Sequence, residues 1–196
     1  MQLRNTFIVA VALLTGGLLK AQTTYTIDPA HSAAQFSVRH MMVSNVRGEF
    51  SKVTGTVAYD PDHLSASKVD AAIDTTTVTT REPDRDKHLK SPDFFDVEKF
   101  PKMTFQSTEF VKHDGKIEIK GNLTLHGVTK PVVLLVDGPT PETKDPWGNM
   151  RRGVTATTTV DRKDFGLVWN KNLDGGGMLV GDEVNIVLDL EGIRQK

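Results

Sequence analysis

Cysteine is absent from all 196 residues, which excludes a thiol nucleophile, a cysteine-bound zinc and haem attached through Cys-x-x-Cys-His. Without disulfides the fold must be held by its core. An excess of either charge is missing too: 24 lysines and arginines face 25 aspartates and glutamates, so neither nucleic acid nor an anionic membrane surface is favoured. Nor is there a long hydrophobic run. The nearest to one, Phe7–Leu14 continuing through Gly16, Gly17, Leu18 and Leu19, is too short and too broken by Thr15 and two glycines to span a bilayer.

That run follows a basic start at Arg4 and precedes Ala21, a residue to cut after, which is the layout of a secretory signal peptide over residues 1–21. The expectation is therefore an exported chain, periplasmic or secreted. Its mature part, residues 22–196, has 22 basic and 25 acidic side chains, a net charge of −3, and is long enough for one domain with a sizeable core.

What is present is alternation. Val184, Ile186, Leu188 and Leu190 share one face of a predicted strand, as do Ile117, Ile119, Gly121, Leu123 and Leu125, then Val154, Ala156, Thr158 and Val160, and more briefly Val69, Ala71 and Ile73. Each has one dry and one wet side, which argues for antiparallel pairing. Asp114-Gly115 is a strong type I′ hairpin signal, and Asp60-Pro61, Asp137-Gly138-Pro139 and Asp145-Pro146-Trp147-Gly148 mark further reversals. One charged segment, Thr80–Pro101, lacks alternation. A short helix is expected from Thr80 or Arg81 to Lys90 with Thr80 as its cap, then a second helical turn over Asp93–Lys99. The fold class is all-β. About eight strands around a helical excursion at residues 81–99 close naturally into an antiparallel barrel wide enough for a small ligand.

Phe36–Phe50 is the most telling stretch. Phe36, Val38 and His40 fall on one face, followed by Met41, Met42, Val43, Val46 and Arg47. Apolar residues ending in histidine and arginine suit an apolar ligand that carries one polar head.

Four motifs then meet in order. Asp28-Pro29-Ala30-His31-Ser32 with Phe36-Ser37-Val38-Arg39-His40-Met41-Met42 comes first, and His88-Leu89-Lys90-Ser91-Pro92-Asp93-Phe94-Phe95-Asp96 with Phe100-Pro101 second. Gly121-Asn122-Leu123-Thr124-Leu125-His126-Gly127-Val128-Thr129-Lys130-Pro131-Val132 and Arg162-Lys163-Asp164-Phe165-Gly166-Leu167-Val168-Trp169 follow. Together they resemble the YceI-like family of bacterial periplasmic proteins over Tyr25–Gly192. The resemblance implies a lipocalin-like, eight-stranded barrel that binds a polyisoprenoid, an isoprenoid quinone or a fatty amide in a central tunnel. It implies no required cofactor and no enzymatic activity, and in some relatives the company of a membrane cytochrome.

The candidate tunnel lining is Phe36, Val38, Met41 and Met42, the aromatic cluster Phe94, Phe95 and Phe100, then Leu123 and Leu125, and Phe165, Leu167 and Trp169 read as an inward-facing strand. His40 and Arg47 are the candidate head-group residues, by hydrogen bonding and bidentate pairing. Arg39 falls on the opposite face from His40 and reads as a loop brace. A competing reading takes Asp84 and His88, one turn apart on the helix, as ligands of an envelope metal-dependent hydrolase. A third makes the chain a quinone-dependent partner of a membrane cytochrome. Asp28, His31 and Ser32 bring triad residue types together, but in what reads as a turn with Asp28 as its cap. An exposed strand or the helical excursion offers a surface for a homodimer.

Overall fold

Alternation becomes strand wherever it is strongest. The computed structural model describes residues 22–196, and the leader expected over residues 1–21 lies outside them. In chain order the strands are β1 (Thr23–Ile27), β2 (Ala33–His40), β3 (Ser44–Phe50), β4 (Val53–Tyr59), β5 (Lys68–Asp74), β6 (Val78–Thr79), β7 (Lys102–His113), β8 (Lys116–Leu125), β9 (Val128–Asp137), β10 (Thr143–Lys144), β11 (Met150–Asp161) and β12 (Val180–Arg194). One helix, α1 (Pro83–Lys90), stands between β6 and β7.

Eight of these strands form a closed antiparallel ring in the order β11–β9–β8–β7–β5–β4–β1–β12, with β12 returning to β11 from Arg151↔Ile193 to Asp161↔Glu183. β12 is 15 residues long, so its other edge serves two partners: β1 near its C-terminal end (Tyr25↔Arg194) and β2 nearer its start (Phe36↔Ile186). β1 and β2 are one stave broken by a 3-10 turn at Pro29–His31, where the Asp28 carboxylate accepts from the Ala30 N–H as its Asp-Pro sequence implies. β3 and β4 form a second broken stave, pairing with β2 and β1 respectively. The result is a ring with a flap, β2–β3–β6, rising beyond it at one end.

The Asp114-Gly115 turn joins β7 to β8 with positive φ at both residues, as its sequence demands. The helix starts later than expected. Glu82, not Thr80, is its cap, accepting from the Asp84 and Arg85 N–H groups, because Pro83 occupies the first helical position where its missing N–H costs nothing. Thr80 is buried instead, its hydroxyl donating to Asp86 at 2.5 Å and accepting from Arg85 Nε at 2.7 Å. Beyond α1 the chain runs through overlapping turns to Lys99 rather than a second helical turn. Phe165–Trp169 is not a strand either. A 3-10 turn spans Arg162–Phe165 and ends at left-handed Gly166.

The end of the ring away from the flap is packed shut. Phe110, Ile119, Leu134, Val136 and Ala156 form a buried cluster there. Arg152 Nε donates to the Tyr25 hydroxyl at 3.0 Å, and that hydroxyl donates to Glu142 at 2.8 Å. On the outer wall Arg151 ties the break between β1 and β2 to its neighbours, donating to Asp28 and Asp145 at 2.7 Å each and to Glu191. The His31 ring first, and Arg151 second, hold the Asp28 carboxyl down at about 2 from its ordinary 3.8. Arg151 also holds Asp145 well below the usual carboxylate range.

Two outcomes follow from these contacts. A Cβ added at Gly55, whose φ is +146°, would stand 2.3 Å from the Asp70 carbonyl oxygen and 2.7 Å from Ala71 Cα. Gly55→Ala is therefore expected to cost about 2–3 kcal/mol in urea unfolding, because both obstacles are backbone. Asp28 has its lowered pKa only in the folded state, so its contribution is full above 3.8 and is lost as pH falls toward about 2. Arg151→Met should be less stable near neutrality yet lose less additional stability across that acid window, as followed by circular dichroism at stepped pH.

Candidate functional site: an apolar bore with a polar mouth

The ring encloses a cavity of about 350 Å³, open toward the flap. That volume lies at the lower end of small-molecule sites, which run from about 300 to 1,000 Å³. Alternate residues of most staves supply its wall, which is the pleat of a strand wrapped into a barrel. β12 contributes Val184, Ile186, Leu188 and Leu190, and β5 contributes Val69, Ala71 and Ile73. Met103, Phe105, Leu123, Leu125, Val132 and Leu134 continue the wall on β7, β8 and β9. The alternation read as a dry face is thus the surface of the bore.

Two glycines give the aromatic rings room. Phe36 lies across the strand pair from Gly48, and a Cβ there would meet its ring at 2.5 Å. Phe105 lies against Gly121 in the same way, at 2.4 Å. Each ring sits flat against backbone rather than projecting into the lumen.

Aromatic side chains gather at the mouth. Phe36 packs on Phe50 and Phe50 edge-on against Phe95, with centroids 5.7 and 5.2 Å apart. Across from them His88 meets Phe94 and Trp169 edge-on at 5.0 and 4.8 Å. α1 and the turns after it therefore form a lid over the space between the flap and β7. Polar groups collect at this end: Gln35, Arg39, His40, Arg85, His88 and Arg162 all border the cavity. Arg162 is almost wholly buried and donates to the carbonyls of Gly181, Leu167 and Trp169 and to Asp182, clasping the loop that rims the mouth. Burial pushes its guanidinium down from its usual range. Arg85 donates to the Thr80 hydroxyl and carbonyl.

Of the residues expected along the tunnel, Phe36, Val38, Phe94, Phe95, Leu123, Leu125, Leu167 and Trp169 border the cavity, as does His40 at its rim. Five others are placed elsewhere. Met41 and Met42 form the tip of the β2–β3 hairpin and point into solvent, because the strand ends at His40 and the turn carries them past the wall. Phe100 packs on His126, 4.7 Å between centroids, against the β8–β9 turn outside the bore. Phe165 is buried in the core beside the seam where β9 and β11 part beyond Leu135 and Thr157. Arg47 lies opposite Ser37 in the flap and is exposed. Arg39 braces the hairpin tip, donating to the Met42 carbonyl at 2.8 Å.

Sequence reasoning missed Arg85 and Arg162. Both belong to turns and the helix, where no period-two pattern marks a side chain as inward. The β5 and β12 residues were visible as dry faces and needed only the barrel's closure to be read as lining.

The other chemistries look different in place. His88 Nε2 lies 2.9 Å from Asp93, while Asp84 is exposed on the helix. Among the described residues, Asp28, His31 and Glu191 form a group of ligating type, but both carboxylates already receive Arg151. The Ser32 hydroxyl is buried and accepts from the Glu191 N–H, so it is not offered to His31 as a nucleophile.

Fold and cavity define the class: an antiparallel barrel holding an apolar bore with a polar mouth. The chain belongs to the YceI-like family, whose domain model matches residues 25–192. It is 39% identical over 194 residues to a UPF0312 protein of Pectobacterium atrosepticum, covering 96% of each chain. Among solved structures, BcnA of Burkholderia cenocepacia superposes with a TM-score of 0.73 at 22% identity, covering 84% of this chain and 98% of that one. A polyisoprenoid binding domain from Saccharophagus degradans gives 0.65 at 16% identity, with 87% and 98% covered.

Ala71 faces the lumen from mid-strand on β5, so enlarging it tests whether the bore is the binding volume. Ala71→Phe should weaken binding of a fluorescent fatty-acid analogue by about tenfold or more, because roughly 1.4 kcal/mol of lost or strained contact suffices. Equal affinity in fluorescence titration would place the probe outside the barrel.

Proposed function

We propose that this protein holds a long-chain amphiphile of the isoprenoid type in its bore, as a carrier or sequestering protein of the bacterial envelope. The observation that carries this reading is the cavity itself: a predominantly apolar wall, closed at one end by a packed cluster, with its charged groups and histidines gathered at the mouth. A chain threads the apolar length while a head with oxygen acceptors meets His40 and Arg85, with His88 beside them and Arg162 holding the rim in place.

Desolvation supplies the affinity. About ten buried methylenes at about 0.8 kcal/mol each give on the order of 8 kcal/mol before ordering costs, near the micromolar range. The polar groups at the mouth orient the ligand and add little net energy, since their own hydrogen bonds to water or to neighbours must be exchanged. That a structural neighbour is a polyisoprenoid binding domain supports the ligand class. Binding is favoured over metal-assisted hydrolysis because His88 is engaged by Asp93 and two aromatic rings, not by Asp84.

Native mass spectrometry of mature protein purified from its own envelope, followed by organic extraction, tests the reading directly. One co-purifying species of isoprenoid mass is expected, and its head distinguishes a quinone from a polyprenyl phosphate. Val38→Asp should abolish retention, whereas His40→Ala should change which head groups are held more than how tightly. An empty protein carrying stoichiometric metal would overturn the reading.

A further inference from the structure

Two methionines at the tip of the β2–β3 hairpin lie outside both core clusters and are exposed. His40–Val43 is a tight turn closed by the Val43 N–H donating to the His40 carbonyl at 3.0 Å, and its central residues Met41 and Met42 have φ of 49° and 62°. Positive φ at both positions is the type I′ geometry, which favours Asn-Gly and disfavours large side chains. The chain therefore carries two bulky apolar residues where the backbone resists them, and exposes both. Strain kept in place by its surroundings points to a use outside the fold. Here the surroundings are Arg39, gripping the Met42 carbonyl, and the Met41 N–H donating to the Leu179 carbonyl at 2.8 Å.

The turn is part of a larger apolar tip. Met41, Met42, Val43, Val168 and Met178 are between 40% and 74% exposed. Met178 is the neighbour of Leu179, to which Met41 is bonded, and Val168 precedes Trp169 at the cavity rim. Arg39, Arg47 and Lys171 are exposed behind the tip, opposed by Asp174 on the adjoining loop and Asp164 on the segment before Val168, while nearby Asp182 is paired with Arg162 and Lys163. Apolar residues in front and cations behind match the depth profile of a bilayer surface.

We infer that this tip docks on a lipid bilayer, seating the mouth of the bore against the phase that holds its ligand. The inference rests on the reading of the bore as a site for a long-chain amphiphile. Such a ligand has negligible solubility in water, so transfer is fastest where the mouth meets the membrane. Leu179, Val180 and Trp169 line the mouth and adjoin the tip, which gives an apolar tail a track from bilayer to bore alongside the polar groups of the rim. Methionine suits the task, being flexible and adaptable to disordered acyl chains.

Flotation of the mature protein with phosphatidylcholine vesicles tests this, with and without phosphatidylglycerol. The wild type should float with both and more fully with the anionic mixture. Met41→Asn with Met42→Gly should reduce flotation about tenfold or more, while thermal stability is unchanged or raised because Asn-Gly relieves the turn. Trp147→Ser, an exposed aromatic on a different loop, should float like the wild type. A paired measurement separates the inference from the reading beneath it: ligand delivered from detergent should still be retained by the double variant in native mass spectrometry, but uptake from vesicles should fall. Wild type that retains ligand yet ignores vesicles would overturn the docking inference alone, and flotation by a protein that never retains ligand would overturn the carrier reading alone. A double variant that floats normally, or that changes light-scattering mass from dimer to monomer, would overturn docking in favour of no role or of contact between two copies.

Discussion

A twisted sheet leaves rows of unpaired N–H and C=O groups at its two edges, and burying or exposing them is costly. In this chain the 15 residues of β12 remove both edges of the ring at once, pairing with β11 on one side and with β1 and β2 on the other. Closure does more than satisfy backbone. It points the even-numbered residues from Val184 to Leu190 inward and so makes one dry face of a strand into one wall of an enclosed space. The break between β1 and β2, held from outside by Arg151, lets the same strand serve both the ring and the flap.

What the ring encloses depends on side-chain size and depth. Toward the packed end, Phe110, Ile119 and Leu134 stand side by side on β7, β8 and β9 and pack with Ala156 and Leu188, and Arg152 bonds to Tyr25, so the interior is filled. Toward the flap the staves carry Ala71, Val184, Ile186 and Val38, and Phe36 and Phe105 lie flat over glycines, so the interior is hollow. A lid of α1 and its following turns brings His88, Arg85 and two phenylalanines to the opening. Polarity gathers there because the helix and the turns contribute to that end together with the last residues of β2, Arg39 and His40. On the proposed reading, a barrel so arranged sorts a ligand lengthwise, tail inward and head outward.

Much of the fold was legible in the chain. Period-two alternation located β5, β8, β11 and β12, Asp114-Gly115 located a hairpin, and the unpatterned charged segment located the helix. Errors came where the chain leaves a strand. Met41 and Met42 continue an apolar run and so read as lining, but the turn after His40 turns them outward. Phe165, Leu167 and Trp169 alternate without being a strand, because Arg162 and Gly166 fold that stretch into a 3-10 turn. Phe100 sits in an aromatic cluster by sequence, yet prefers the His126 ring at the β8–β9 turn. Periodicity reports which faces of a strand differ. It does not report where a strand ends.

Sequence by itself determined that the chain is all-β, antiparallel, free of disulfides and built with one dry face per strand, since these follow from local residue order. Tertiary structure alone decided that the dry faces enclose a bore rather than a packed interior, that Arg85, His88 and Arg162 converge on its mouth, and that the methionines stand outside it. The physical reason is sequence distance. Arg162 and Arg85 are brought to one opening by ring closure, and no local pattern encodes a meeting between residues so far apart along the chain.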